Sequence, residues 1–123
     1  MERAFELAQE ALDNNEVPVG CVFMYQGKEI GSGRNEINNT KDPTAHAEMV
    51  ALRKMQDENP NIGEIIHDLV LYVTLEPCIM CACGLYELGI SKIVYAAANE
   101  RFGGIKSVGN HCKYNIKTTA VEV

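Results

Sequence analysis

The chain has 123 residues, the length of one ordinary folded domain, so we expect a single domain over residues 1–123. Apolar residues make up 46% of the composition, which is enough to build a buried core. The formal net charge of −6 argues against a protein that binds nucleic acid on its own through a basic face.

The amino terminus begins a charged amphipathic pattern and does not resemble a signal peptide. The longest apolar runs, such as 93–98, are too short to cross a bilayer. We therefore expect an intracellular protein of the cytoplasm or nucleus, with no membrane partner. The cysteines are odd in number and clustered, which favours metal or redox chemistry over a disulfide framework. They are Cys21, Cys78, Cys81, Cys83 and Cys112.

The first third of the chain predicts a helix followed by a hairpin. Apolar residues recur at helical spacing over residues 2–14. Residues 17–25 are rich in β-formers, and 28–34 can form the return strand after a Gln-Gly turn. Residues 35–44 are polar, and we expect a loop there.

The rest of the chain alternates helices and strands. A helix is predicted to begin at Asp42-Pro43-Thr44, because Asp or Thr can cap it and Pro suits the first helical position. It runs to about Gln56. A second helix spans 78–88 and is ended by Gly89. The other predicted segments are an irregular stretch at 57–68, buried strands at 69–75 and 91–98, a loop at 99–114 and a last strand at 115–123.

This order of elements predicts an α/β fold. Strand–helix–strand units with apolar strands imply a parallel region, which is joined here to an antiparallel hairpin. Helices must then cover both faces of the mixed sheet.

Two short stretches carry the candidate chemistry, 44–48 and 76–81. Cys78 and Cys81 are three apart at a helix start, where they share a face and the helix dipole stabilises thiolates. His46 and Glu48 are only two apart, but side chains lean toward the amino end of a helix, so both can reach a point just beyond it. We expect a metal between the two helix starts, held by His46, Cys78 and Cys81, with Glu48 beside it.

Two other interpretations of the cysteine pair are a redox couple and a structural zinc site. A structural site usually has four protein ligands, and the candidates for a fourth are Cys83, His67 and His111. We expect Cys83 to point away from the metal and to lie in the core, and the two histidines to be ordinary loop residues. The adjacent Glu48 favours catalysis over a structural role.

Zinc with an open coordination position lowers the pKa of a bound water to about 7, and Glu48 could carry that proton to a substrate nitrogen. Such chemistry is hydrolytic deamination. The spacing His-x-Glu…Pro-Cys-x-x-Cys is the known pattern of zinc-dependent nucleobase deaminases, in which the glutamate is not a ligand.

The chain resembles the cytidine deaminase-like superfamily and, within it, the tRNA-specific adenosine deaminases. The resemblance is carried by five stretches, of which the third and fourth are the most specific. They are residues 16–20, 33–35, 42–48, 71–81 and 99–104, the last resembling the eukaryotic catalytic subunit more than the bacterial enzyme.

The resemblance implies a three-layer α/β/α sandwich with a five-stranded mixed sheet. It implies one Zn²⁺ per chain, bound by the residues proposed above, and proton transfer by Glu48. It also implies that Asn35 hydrogen-bonds the purine and that Val19 and Ala47 wall the base pocket. The implied reaction converts adenosine to inosine at the wobble position, 34, of tRNA anticodons.

The resemblance further implies a dimer, either with a related subunit that lacks the catalytic glutamate or with a second copy. Family members carry a final helix that this sequence does not show before Val123, and the segment 104–115 is shorter than theirs. Two alternatives stay open. One is a deaminase of free cytosine, cytidine, deoxycytidylate or guanine, and the other is a non-catalytic scaffold with structural zinc.

Overall fold

The computed structural model describes residues 1–107 and the backbone of residues 120–122. Within these ranges it contains four α-helices, five strands and two short 3₁₀ turns. The helices are α1 (Glu2–Asp13), α2 (Ile37–Thr40), α3 (Ala47–Glu58) and α4 (Ile79–Leu88). The strands are β1 (Gly20–Tyr25), β2 (Lys28–Arg34), β3 (Val70–Leu75), β4 (Lys92–Ala97) and β5 (Ala120–Glu122), and the 3₁₀ turns are Ile62–Glu64 and Ile66–Asp68.

The strands form one mixed sheet in the order β2-β1-β3-β4-β5. β1 pairs antiparallel with both β2 and β3, whereas β3–β4 and β4–β5 are parallel pairs. Four strands are six or seven residues long, and β5 contributes three residues. The predicted mixed sheet, with a hairpin joined to a parallel region, is confirmed. The rest of the predicted last strand lies outside the described residues.

Helices cover both faces of the sheet. Inward-facing residues of β1 and β3, such as Phe23 and Val73, pack with residues of α3 and α4, such as Ala51 and Leu85, in the main core. A smaller cluster on the other face joins α1 to Val22 of β1. The alternation along β1 thus feeds both layers, and the predicted α/β/α sandwich is confirmed.

Two glycines set the distance between the sheet and its helices. A Cβ on Gly33 of β2 would lie 2.4 Å from the carbonyl oxygen of Ala47 in α3. A Cβ on Gly20 of β1 would lie 2.2 Å from the carbonyl oxygen of Ala4 in α1. Because only glycine leaves this space empty, both helices approach the sheet backbone directly.

The boundaries differ from the prediction in three places. β1 begins at Gly20 and not at residue 17. The segment expected to be a loop contains the single-turn helix α2. α3 begins at Ala47 and not at Pro43, because the Asp42 carboxylate accepts hydrogen bonds from the backbone N–H and the hydroxyl of Thr44 in a separate turn.

The bounds of α1 and β2 agree with the prediction to within a residue, as do those of β3, α4 and β4. Gly89 ends α4 in the left-handed conformation (φ 74°), as its position after the last apolar residue predicts. Within the described part of the chain, no helix has the length and apolarity needed to cross a membrane.

Candidate active site

The site lies at one edge of the sheet, where several chain segments converge. β3 and β4 are parallel, so the segments that follow them leave at the same edge. Gly20, which begins β1, pairs with Arg34, which ends β2, and β1 runs antiparallel to β3. The start of β1 and the end of β2 therefore lie at that same edge. This topology places Val19 and Asn35 near the residues that follow β3.

Two helix starts face each other at this edge. His46 is the N-cap residue of α3, and Cys78 is the N-cap residue of α4. The Cys78 sulfur accepts a hydrogen bond from the backbone N–H of Cys81 at 3.5 Å. Both helices thus begin at the site, and their positive dipole ends point at the thiols. This is the arrangement that the spacing of the two motifs predicts, except that His46 and Cys78 flank the helices and do not lie within them.

The three predicted ligand side chains come together. The Nδ1 atom of His46 lies 3.3 Å from the sulfur of Cys78 and 3.5 Å from that of Cys81, and all three ligand atoms lie within 4.8 Å of one another. Bond lengths near 2.3 Å to sulfur and 2.0–2.1 Å to nitrogen put tetrahedral S and N ligands about 3.6 Å apart. The separations and the donor set therefore fit zinc, with one coordination position left for water or substrate.

The pKa values of the Cys78 and Cys81 thiols are shifted in opposite directions. The Cys81 thiol donates a hydrogen bond to Cys78, and this bond, with the helix N–H and the nearby His46, lowers the pKa of Cys78 to about 5. The same bond and burial raise the pKa of Cys81. One thiolate therefore forms readily at neutral pH. The second proton must leave when a divalent cation binds, which couples metal affinity to pH.

Glu48 is buried beside the ligand cluster, with 3% of its surface exposed. Burial raises its pKa from 4.5 to about 7, with a further contribution from the charge on Cys78, while His46 acts in the opposite direction. A carboxyl group with a pKa near neutrality can both accept and donate a proton. This property suits the role of proton carrier that the sequence motif predicts for Glu48.

A cavity of about 580 Å³ opens onto His46 and Glu48. The volume is in the range of small-molecule sites. Its remaining lining consists of apolar side chains and a few polar ones: Val17, Val19, Asn35, Ile37, Ala47, Leu75, Glu76, Cys78, Ile79, Met80, Asn99 and Phe102. The three residues predicted to contact the base, Asn35, Val19 and Ala47, are all in this lining.

The Asn35 side chain is held by its own loop. Its Oδ1 atom accepts the backbone N–H of Ile37 at 3.0 Å, and its backbone N–H bonds to the Val19 carbonyl at 3.1 Å. The side chain is 6% exposed and borders the cavity. Because the Oδ1 atom is engaged in the turn, the amide NH₂ is the group that Asn35 has available for a ligand.

A buried carboxylate, Glu16, holds the segment that follows Asn35 by hydrogen bonds. Its two oxygens accept the backbone N–H groups of Asn38 at 2.9 Å and Asn39 at 2.8 Å, which are the free donors of the first turn of α2. The sequence alone predicts no role for Glu16. Its partners are more than 20 residues away, and nothing in the local sequence identifies them.

Glu76 is a second buried carboxylate for which the sequence predicts only a strand end. It is 1% exposed and accepts hydrogen bonds from the segment after β4. Burial by itself raises the pKa of Glu76, but bonds from the Ser107 hydroxyl and from backbone N–H groups outweigh it and lower the pKa to about 2. Glu76 is therefore a carboxylate at any pH near neutrality.

None of the candidates for a fourth protein ligand joins the cluster in the described residues. The Nδ1 atom of His67 lies 3.2 Å from the carbonyl oxygen of Gly89, at the end of α4. The prediction that Cys83 is a core thiol was wrong. Cys83 is exposed, because the described residues do not cover this side of α4. His111 lies outside them. A cluster of three ligands beside a proton carrier belongs to a catalytic metal site.

Zinc-dependent hydrolytic deaminases are the class of enzyme that combines a His-Cys-Cys ligand set with a buried glutamate of this kind. The fold and the site place this chain in that class. Comparison with known proteins agrees: the family model of the cytidine and deoxycytidylate deaminase zinc-binding region matches residues 1–97. The chain therefore belongs to this family.

Its relatives within the family include tRNA-specific adenosine deaminases. The chain is 48% identical over 126 aligned residues to tRNA-specific adenosine deaminase 2 of Xenopus tropicalis, covering 99% of this chain and 74% of the relative. It is 44% identical to the tRNA-specific adenosine deaminase subunit tad2 of Schizosaccharomyces pombe, covering 88% of this chain and 28% of that subunit. The resemblance inferred from the sequence motifs is thereby confirmed.

A solved structure from a study of A-to-I editing by tRNA:A34 deaminases at the wobble position of transfer RNA has a similar fold. It superimposes with a TM-score of 0.86 at 31% identity, over 99% of this chain and 89% of the other. The match covers both site helices and the whole described sheet.

Proposed function

We propose that this chain catalyses the zinc-dependent hydrolytic deamination of adenosine to inosine at wobble position 34 of tRNA anticodons. The observation that carries the proposal is the position of Glu48, which lines the cavity and is buried beside the ligand cluster of His46, Cys78 and Cys81. The names of the relatives supply the class of substrate.

His46, Cys78 and Cys81 would hold the metal. A zinc ion held there would supply a bound water whose pKa lies near 7, which makes that water a nucleophile at neutral pH. Glu48 would accept a proton from the attacking water and pass it to the ring nitrogen beside C6 of adenine, as the water oxygen bonds to C6. Glu48 then carries the second water proton to the amino group. The bond between C6 and the amino nitrogen breaks and ammonia leaves. Adenosine and water thus give inosine and ammonia.

The surroundings of Glu48 support this role. Its pKa of about 7 lies close to the working pH, where a group exchanges protons in both directions with little cost. Burial also keeps bulk water from competing for its proton. A base in the cavity would lie between the backbone at Ala47 and the apolar side chains of Val19 and Leu75. The NH₂ group of Asn35 would donate to an acceptor on the purine.

The direct test is turnover of a transcribed tRNA with A34, followed by detection of inosine. We expect inosine at position 34 and none in a matched tRNA with G34. Because the net charge is −6, the assay should be run both alone and with a candidate partner subunit. Turnover of free cytidine or guanine, together with no turnover of tRNA under either condition, would contradict the proposal and favour the free-base alternative.

The third interpretation, a scaffold with structural zinc, gives the opposite result in a Glu48→Ala variant. A scaffold would lose nothing that depends on proton transfer. We expect the variant to retain about one zinc per chain and to lose deamination, and unchanged activity would refute the role of Glu48.

We further propose that the chain works as a dimer, with a related subunit or with a second copy. Two observations support this. The S. pombe relative is named a subunit, and the exposed apolar side chains of Ile79, Met80 and Leu88 lie along α4. Light scattering of the chain alone and after co-expression with a related subunit tests the two forms. Location in the cytoplasm or nucleus stays a prediction that imaging of a tagged chain would test.

A further inference from the structure

The Glu76 carboxylate binds one short segment of chain with both of its oxygens. Its Oε2 atom accepts three successive backbone N–H groups, from Ile105 at 3.0 Å, Lys106 at 2.8 Å and Ser107 at 3.1 Å. Its Oε1 atom accepts the backbone N–H of Asn99 at 3.1 Å and the Ser107 hydroxyl at 2.5 Å. Consecutive N–H groups that converge on one point form an anion-binding nest, and here the anion is supplied by the protein itself.

This segment, residues 99–107, forms part of the cavity wall. Asn99 and Phe102 line the cavity. Phe102 is 56% exposed, although its backbone is held on both sides. Its N–H donates to the Asn99 side chain at 3.1 Å, and its carbonyl accepts the N–H of Ile79 at 3.0 Å. The segment thereby presents an aromatic side chain to the cavity from a backbone whose position is set by hydrogen bonds.

The segment also packs directly against the start of α4, where Cys78 and Cys81 lie. The N–H of Gly104 donates to the Pro77 carbonyl at 2.8 Å, and Gly103 forms a bridge with Cys78. A Cβ on Gly103 would lie 2.5 Å from the Glu76 carboxyl group, and one on Gly104 would lie 2.7 Å from the Cβ of Ala82. The wall and the helix start therefore fit together in one arrangement, with the carboxylate buried between them.

We infer that Glu76 is a positioning residue, which holds residues 99–107 in place as the substrate-binding wall of the cavity. The inference deepens the proposed deaminase function and rests on it for the identity of the substrate. Although Glu76 borders the cavity, both of its carboxylate oxygens are engaged by donors of residues 99–107. It acts through Asn99 and Phe102, and its loss should weaken substrate binding while zinc and Glu48 stay in place.

A carboxylate is required because the groups of residues 99–107 that contact the Glu76 side chain are all donors, so both of its terminal atoms must be acceptors. Glutamine has the same shape but only one acceptor oxygen. In one orientation, its NH₂ group faces the three N–H groups of residues 105–107. In the other, it faces the N–H of Asn99. Either way at least one N–H that is buried or partly buried loses its acceptor, which costs more than an exposed hydrogen bond is worth. Ser107→Ala is a milder change, since it removes only the hydroxyl donor and leaves every N–H paired.

The experiment compares the wild type with Glu76→Gln, Ser107→Ala and the control Glu58→Gln, which makes the same charge change at an exposed residue of α3. Three quantities are measured: zinc per chain, backbone hydrogen–deuterium exchange by segment, and kcat and KM on tRNA with A34. Suppose that residues 99–107 of Glu76→Gln adopt the wild-type conformation only about a tenth of the time. KM then rises about ten-fold, and kcat changes by less than about three-fold. We expect Ser107→Ala to shift KM in the same direction by a smaller factor.

Exchange separates positioning from a general loss of stability. We expect residues 99–107 to exchange at least about ten-fold faster in Glu76→Gln, with β3 and α4 unchanged and about one zinc per chain retained. Unchanged exchange of residues 99–107 would overturn the inference. So would equal acceleration across β3 and α4, or a loss of zinc in proportion to activity. If Glu76→Gln does not fold, Ser107→Ala decides by the same criteria. If the wild type does not deaminate tRNA either alone or with a candidate partner subunit, the proposed function fails, and exchange alone decides the role of Glu76.

Discussion

Replacing Glu48 by Gln should lower activity and raise stability at the same time. Glu48 is 3% exposed, and burial raises its pKa from 4.5 to about 7. Between these two pH values the folded protein keeps a proton that the unfolded chain has already lost. The contribution of Glu48 to stability is therefore largest below pH 4.5 and is lost as the pH rises to about 7. A displacement of this size corresponds to about 3 kcal/mol for a buried group.

Glutamine has nearly the same shape and stays neutral at every pH, so the variant does not lose this stability as the pH rises. The free energies of unfolding of metal-free wild type and Glu48→Gln should agree near pH 4. Above pH 7 the variant should be more stable by up to about 3 kcal/mol. Urea unfolding of both proteins between pH 4 and 8 measures the difference. Because both carry the same cysteines, the titration of Cys78 and Cys81 largely cancels in it.

Deamination by the same variant should be lower by about 100-fold or more, since Gln cannot carry a proton. Zinc content should stay near one per chain, because Glu48 is not among the three ligands. Glu58→Gln, an exposed change on the same helix, serves as the control for both measurements. Parallel stability curves for wild type and Glu48→Gln would refute the argument that burial raises the pKa of Glu48.

Three further changes test other parts of the site. His46→Ala should weaken zinc binding by more than about 100-fold, as measured by competition with a chelating dye, because loss of a supporting residue alone costs 10–100-fold. Gly33→Ala places a methyl group 2.4 Å from the Ala47 carbonyl and should destabilise the protein by about 1–3 kcal/mol in urea unfolding, whereas Gly63→Ala, which meets nothing within 4 Å, should not. Asn35→Ala should lower kcat/KM on tRNA by about 10-fold or more with zinc retained, and an unchanged value would remove Asn35 from the substrate contacts.

Much of the fold was predictable because its signals are local. The helix of residues 2–13 and the hairpin follow from apolar periodicity and turn residues within ten or so positions. The start of α3 was not predicted, because Asp42 can cap either a helix or a turn. Its choice depends on Thr44 and on Arg53, which donates to the same carboxylate at 3.0 Å from 11 residues away.

The chemistry of the site was likewise readable in short motifs. His46 and Glu48 are two residues apart, and Cys78 and Cys81 are three apart, so each pair is positioned by one helix start. Helix geometry makes such spacings meaningful without knowledge of the rest of the chain. The exposure of Cys83 was not predictable in this way, since burial depends on which face of α4 another element covers.

The sequence by itself determined the ligand types, the proton carrier and the elements that present them, because these depend on neighbours along one helix or strand. Only the tertiary structure decided how the cavity is walled. Glu16 and Glu76 each satisfy backbone donors more than 20 residues away, and a buried carboxylate becomes a structural anchor only where folding brings such donors to it. The pKa of Glu48 is also a tertiary property, since the sequence supplies the carboxyl group and burial in the fold sets its proton affinity.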